Sequence, residues 1–233
     1  MLMSTPGLVL HTTPYAESSV VAKVFTRQLG VRSYIIKGVR SRSGRVKQNM
    51  LQPLSSLDMV VYDNHRSSLN YIRELSPRQP QQQADPVANA LKMFMTEVLY
   101  RALREEEPMQ ELWDYVENEE LGVMNEEYPD IPSQPIRFLL MVAHHLGIEP
   151  LDNHSHREPY FNLQEGRFTS TADDATLPLH LSELLHQYLS GQQPNASLND
   201  RTAIINSILA YYQFHLSGFH NFTSHEILHT VLK

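Results

Sequence analysis

The hydrophobic period of this chain changes once, and that change limits the possible folds more than any other feature. From Gly7 to Leu75 the apolar residues come in short runs, GLVLHT, SSVVAKVFTR, VRSYIIKGV, LQPLSSLDMVVYD and SSLNYIREL. Turn residues separate them, among them Leu29-Gly30 and Asp63-Asn64-His65-Arg66. In the second run Val20, Ala22 and Val24 fall on one face, and Val21, Lys23 and Phe25 on the other. A period of two, rich in β-branched and aromatic residues, predicts strands. Pro53 inside the fourth run predicts an edge position, a bulge or a break. Five or six short strands in so few residues predict a small closed barrel, because closure removes exposed strand edges. An OB-fold is the natural candidate, and an SH3-like barrel gives much the same pattern.

After the polar, Pro/Gln-rich segment SPRQPQQQADP the period lengthens to three or four, which predicts helices. Asp85 is placed to cap the first helix, with Pro86 at its first position. Val87, Leu91, Met95, Val98, Leu99 and Ala102 form its buried stripe, and Met93-Phe94-Met95 reads as core rather than as a binding face. Further helices are predicted over Met109–Leu121, over Ser133–Leu146 with Gly147 just past its end, and over Leu179–Leu189, Arg201–Leu216 and Ser224–Leu232. PYFNLQEGRFTS predicts a hairpin turning at Glu165-Gly166. The expected architecture is α+β, with an N-terminal β-barrel domain over 1–78 and an α-helical C-terminal domain over 84–233 that carries one small hairpin.

Charge follows the same division. Residues 1–83 hold 11 Lys and Arg against 4 Asp and Glu, whereas residues 84–233 hold 8 against 22. Halves of opposite sign suggest different partners, and a basic half suggests nucleic acid. The loop between the third and fourth runs, KGVRSRSGRVKQ, concentrates this signal: Lys37, Arg40, Arg42, Arg45 and Lys47 stand there with no acid among them. Such a loop neutralises phosphates and releases their counterions, giving salt-dependent affinity that is largely independent of sequence. Arg27 and Arg32 flank the Leu29-Gly30 turn and extend the expected basic surface. Tyr34 is a candidate for base stacking, while Phe25 reads as barrel core.

Several chemistries are excluded or disfavoured. No run approaches the roughly 18 apolar residues a membrane helix requires, and the first residues, MLMSTPGLVL, do not read as a signal peptide. The absence of cysteine excludes disulfides and thiolate metal sites. No Walker, GxGxxG or GxSxG motif occurs. The acidic runs Glu105–Glu107 and Glu117–Glu120 read as solvated helix ends, and the basic half has too few carboxylates for a two-metal nuclease. Among 12 histidines, His225-Glu226-Ile227-Leu228-His229 matches the His-Glu-x-x-His string of a metal-dependent hydrolase. It sits on a short terminal helix with no third ligand downstream, so two docking-helix histidines are the preferred reading. The chain is therefore expected to be no enzyme and to need no metal or cofactor. A protein-only adaptor is the other alternative.

The segments TPGLVLHTTPYAESSVVAKVFTRQLGVRSYIIKGVRS and LQPLSSLDMVVY together resemble the N-terminal domain of the RecO recombination-mediator family, and YYQFHLSGFHNFTSHEILHTVL resembles that family's terminal helices. The resemblance implies an OB-fold followed by a helical domain. It also implies a cytoplasmic, nucleoid-associated protein that binds single- and double-stranded DNA and anneals strands. With RecR, and often RecF, it would load RecA onto DNA coated by single-stranded-DNA-binding protein. Lys37, Gly38 and Arg40 match the family's basic Lys-Gly-x-Arg segment. The helical domain would receive the acidic C-terminal tail of the single-stranded-DNA-binding protein, with Lys92, Arg101, Arg104 and Arg137 as candidate contacts. Many members carry a four-cysteine zinc motif after a Leu-Gly-x-x-Pro stretch. Here LGIEP is followed by no cysteine, only by His154 and His156, so a zinc-free hairpin is expected.

Overall fold

A computed structural model describes residues 2–39, 48–63, 67, 69–78, 85–120 and 131–231, with the side chains of Glu119, Glu120 and His229 not described. The alternating runs form strands β1 (Leu2–Pro14), β2 (Val20–Thr26), β3 (Gly30–Ile36), β4 (Ser56–Tyr62) and β5 (Asn70–Pro77). They close into one barrel in the order β1-β2-β3-β5-β4, with β4 returning to β1. Among the described strands only β3 and β5 pair in parallel. This is the five-stranded OB arrangement, so the SH3-like alternative falls away.

Strand β1 starts well before Gly7, because it serves two partners: Leu2–Leu8 pair with β4 and Gly7–Pro14 with β2. A register shift between Val9 and His11 lets one long strand turn this corner. Pro53 proves to be a break: a 3-10 turn, Gln48–Leu51, precedes it and β4 begins only at Ser56.

Several strands are buried on both faces. In β1 Leu8, Val9 and Leu10 are all buried, and in β2 both Val24 and Phe25 are fully so. The inward set, including Val9, Val24, Tyr34 and Met59, fills the barrel. The outward set is covered by residues beyond the expected domain boundary. Helix α1 (Pro86–Ala102) packs against β1, started by Asp85, whose carboxylate accepts from the Val87 N–H at 2.9 Å. The chain then runs beside β3, where Glu106 N–H donates to the Val31 carbonyl at 3.0 Å. It continues into α2 (Gln110–Asp114), which passes into a π-helical turn over Tyr115–Glu120 in place of the expected regular helix. Leu112, Trp113 and Val116 are buried as anticipated, and Trp113 Nε1–H donates to the Phe25 carbonyl at 3.0 Å. The compact units of the chain are accordingly Met1–Glu127 and Tyr128–Lys233.

Gly30 records how closely this stretch approaches β3. Its φ is +67°, and a Cβ there would stand 2.4 Å from the Glu107 carbonyl oxygen. Gly30→Ala is expected to lower stability by at least about 2 kcal/mol, combining left-handed backbone strain with a clash against main chain. Urea unfolding followed by circular dichroism measures it; an unchanged midpoint would mean the 105–107 stretch is not held here.

The second unit is helical. Its α3 (Gln134–His145), α4 (Leu179–Leu189), α5 (Leu198–His215) and α6 (Ser224–Val231) match the predicted helices closely. Gly147, at φ +69°, ends α3: its N–H donates to His144 O, and that of Ile148 to Ala143 O, closing a Schellman turn. Helix α5 begins three residues before the predicted start because Ser197 caps it, accepting from Asp200 N–H at 3.1 Å. The buried Tyr212 hydroxyl ties α5 to α3 by donating to Leu139 O at 2.6 Å. The predicted hairpin is present as β6 (Tyr160–Asn162) and β7 (Arg167–Thr169), held by Phe161 and Phe168 edge to face at 5.1 Å.

Candidate nucleic-acid interface

The acidic stretch 105–117 decides which barrel cations remain available. Lys23 Nζ lies 2.8 Å from Glu105 Oε1 and 4.9 Å from the centre of the Tyr100 ring. Arg27 donates through both Nε and Nη2 to the two oxygens of Asp114, at 2.7 and 2.8 Å. These hydrogen bonds hold the Asp114 carboxyl below the usual carboxylate range; partial burial opposes them and the Arg27 charge reinforces them. Arg32, only 5% exposed, reaches Glu106 at 2.5 Å, Asp63 at 4.0 Å and the Leu29 carbonyl at 3.3 Å. Arg78 bridges Asp58 (3.0 Å) and Glu117 (3.3 Å) and lies over the Trp113 ring. Glu117 is itself buried and also accepts from Ser56 Oγ at 2.7 Å. The acidic runs are therefore not all solvated helix ends: Glu105, Glu106 and Glu117 are partners of barrel cations.

This corrects part of the expected DNA surface. Arg27 and Arg32 are engaged within the fold and do not extend a free basic patch. Tyr34 shares its strand face with the barrel core and is 1% exposed, so its ring has no face for a base. Burial raises its pKa, and its hydroxyl has no hydrogen-bond partner among the described residues. Lys37, just past β3, is exposed and has no carboxylate partner among the described residues. Arg40, Arg42, Arg45 and Lys47 lie outside the described residues. Two residues that sequence reasoning passed over, Tyr62 and Tyr71, are half-exposed on β4 and β5. Their only sequence signal is a lone aromatic at an outward position of an alternating strand.

The four cations suggested for partner contacts fall in different units. Lys92, Arg101 and Arg104 belong to the unit that contains the barrel and Arg137 to the second. Lys92 is half-buried, and desolvation lowers its pKa. Arg101 is paired with Glu97 at 2.8 Å, and Arg104 is exposed. In the second unit His225 packs against Phe222, and its Nδ1 has no partner among the described residues. His154 stacks on His186 at 4.4 Å, and His186 pairs with Asp152 at 2.7 Å. Among the described residues no group of three or more His, Asp or Glu side chains is arranged to hold a metal ion. None of the described helices is long and apolar enough to cross a membrane.

Comparison with known proteins agrees with this architecture. Residues 1–81 match the family model described as Recombination protein O N terminal, and residues 83–222 match Recombination protein O C terminal. The models meet near the Pro/Gln-rich segment, whereas the compact units divide later because α1 and the 105–117 stretch pack on the barrel. The chain is 28% identical to the DNA repair protein RecO of Christiangramia forsetii, over 99% of both chains. It is 27% identical to that of Flavobacterium johnsoniae over 98% of both, and 31% identical to that of Phocaeicola vulgatus over 77% of this chain and 73% of the relative. The names carried by the models and relatives describe repair and recombination, and none names a catalysed reaction. With an OB-type barrel, a helical C-terminal region and matches to both family models, this chain belongs to the RecO family of DNA repair proteins.

Proposed function

We propose that the chain is a recombination mediator without catalytic turnover, acting in the cytoplasm at the nucleoid. It binds single- and double-stranded DNA through Lys37 and the basic run Arg40, Arg42, Arg45 and Lys47. Neutralising two complementary strands on one surface lets them anneal. With RecR it loads RecA onto DNA coated by single-stranded-DNA-binding protein. One observation carries this reading. Every described Lys or Arg of the barrel except Lys37 has a carboxylate within ion-pair distance. Of the described barrel cations, that leaves Lys37, which directly precedes the basic run in sequence.

The acidic, apolar C-terminal tail of the single-stranded-DNA-binding protein docks on the helical portion. Lys92, Arg101, Arg104 and Arg137 are the cations to test. In the second unit, a shallow pocket between α5 and α6, lined by Leu198, Ile205 and Leu228 with Arg201 beside them, offers the same combination of apolar wall and positive charge.

The test is anisotropy of labelled oligonucleotides with the full chain, over a salt series, alongside annealing of complementary strands. Expected are binding at low salt, a steep linear fall of log affinity with log salt, and accelerated annealing. Absence of DNA binding at low salt would overturn the mediator reading in favour of a protein-only adaptor.

A further inference from the structure

The barrel brings two tyrosines into register on its outer surface. Tyr62 ends β4, and Tyr71 is the second residue of β5; they are direct cross-strand partners. Partners of this kind share a sheet face, with Cβ atoms roughly 5 Å apart. On the other side of Tyr62 its partner in β1 is Leu2. All three are exposed, Leu2 by 43%, Tyr62 by 50% and Tyr71 by 48%. The ammonium of Lys37 sits 5.4 Å from the centre of the Tyr71 ring.

These tyrosines differ from the others that the fold uses. Tyr211 and Tyr212 are buried and donate their hydroxyls to main-chain carbonyls. The hydroxyls of Tyr62 and Tyr71 make no hydrogen bond with a described residue, so no described side-chain hydrogen bond accounts for both rings standing at the surface. A folded chain gains little from holding two aromatic rings in water, but a ligand with flat apolar faces and negative charge would gain from both rings and from the cation. A single strand of nucleic acid has that chemistry. Its bases offer π-faces free to stack, and its phosphates suit an ammonium beside the ring. A duplex does not, because its bases already stack on one another.

We propose that Tyr62 and Tyr71, with Lys37 beside them, form a stacking platform for unpaired bases of single-stranded nucleic acid. The proposal rests on the DNA-binding reading above and adds to it a means of telling single strands from duplex. Phosphate contacts at the basic run serve both forms alike, whereas the platform serves only strands whose bases are free.

The experiment compares full-length wild type, Tyr62→Ala/Tyr71→Ala and Tyr62→Phe/Tyr71→Phe. Each is titrated with three ligands: an oligothymidylate, an abasic strand of the same length and charge, and a duplex. The alanine variant is expected to lose about tenfold to a hundredfold in affinity for oligothymidylate. It should keep the wild-type affinity for the abasic strand and the duplex, and the wild-type salt slope. The phenylalanine variant should match wild type, since stacking needs the ring and not the hydroxyl. A 2-aminopurine placed in the strand should be quenched by wild type and not by the alanine variant. The platform is overturned if the alanine variant binds oligothymidylate as wild type does, or loses affinity for all three ligands equally. It is likewise overturned if the alanine variant sediments in a smaller assembly than wild type, which would make the tyrosines a contact between copies of this chain. Wild type binding no DNA at all would overturn the parent reading instead.

Discussion

Replacing Arg40, Arg42, Arg45 and Lys47 together by alanine is expected to make the salt dependence of single-strand binding shallower by roughly three in log–log slope. The figure follows from about 0.7 counterion released per phosphate neutralised on a single strand, multiplied by four cations. The effect should be large because the described barrel cations other than Lys37 already have carboxylate partners. Lys23, Arg27, Arg32 and Arg78 already face Glu105, Asp114, Glu106 and the Asp58–Glu117 pair. Lys23→Ala, which removes one of the engaged cations, serves as the control: its slope should stay close to that of wild type. The two outcomes separate a loop-centred surface from a diffuse one. An unchanged slope in the fourfold variant, or an equal loss in the control, would move the DNA surface away from the 37–47 run.

Trp113→Ala is expected to lower the stability of the first unit by about 3–5 kcal/mol, the usual cost of truncating a buried aromatic ring to a methyl. Trp113 is 2% exposed, and its N–H bonds to the Phe25 carbonyl 88 residues away in sequence. Its ring also lies beneath Arg78, at 6.0 Å. Removing it therefore opens a cavity, takes one donor from the Phe25 carbonyl and loosens the acidic stretch that packs on the barrel. Trp113→Phe keeps most of the packing and loses the hydrogen bond, so it should cost less, on the order of 1–3 kcal/mol. Trp113 is the only tryptophan in the chain, so wild-type fluorescence reports unfolding of this unit directly. Circular dichroism in urea follows the variants. A loss below about 1 kcal/mol for the alanine variant would mean that the stretch is loosely attached, contrary to its burial.

Most of the local structure was legible in the sequence because it depends on near neighbours. Asp85-Pro86 opens a helix and Gly147 closes one by hydrogen bonds that span at most five residues. The strands follow from alternation, and the hairpin turns at Glu165-Gly166 as its residues suggest. The misreadings share one cause: each required knowing what lies against a residue from far along the chain. Composition assigned residues 84–120 to an acidic helical half, because charge sign records attraction and not the identity of the partner. In the fold those carboxylates serve the basic barrel, and the first unit carries 14 basic and 16 acidic side chains, close to balance.

The aromatic residues show the same limit. Tyr34, Tyr62 and Tyr71 all stand in strands, and alternation alone does not say which face of each strand will turn inward. Closure of the barrel put Tyr34 into the core and left Tyr62 and Tyr71 outside.

The sequence by itself determined the change of hydrophobic period, and with it the barrel, the helices and their caps, because those depend on short-range periodicity and hydrogen bonding. Only the tertiary structure decided where the first unit ends, which cations are already neutralised and which rings meet solvent. Those outcomes rest on ion pairs and packing between residues tens of positions apart, a distance over which residue type carries no record of its partner.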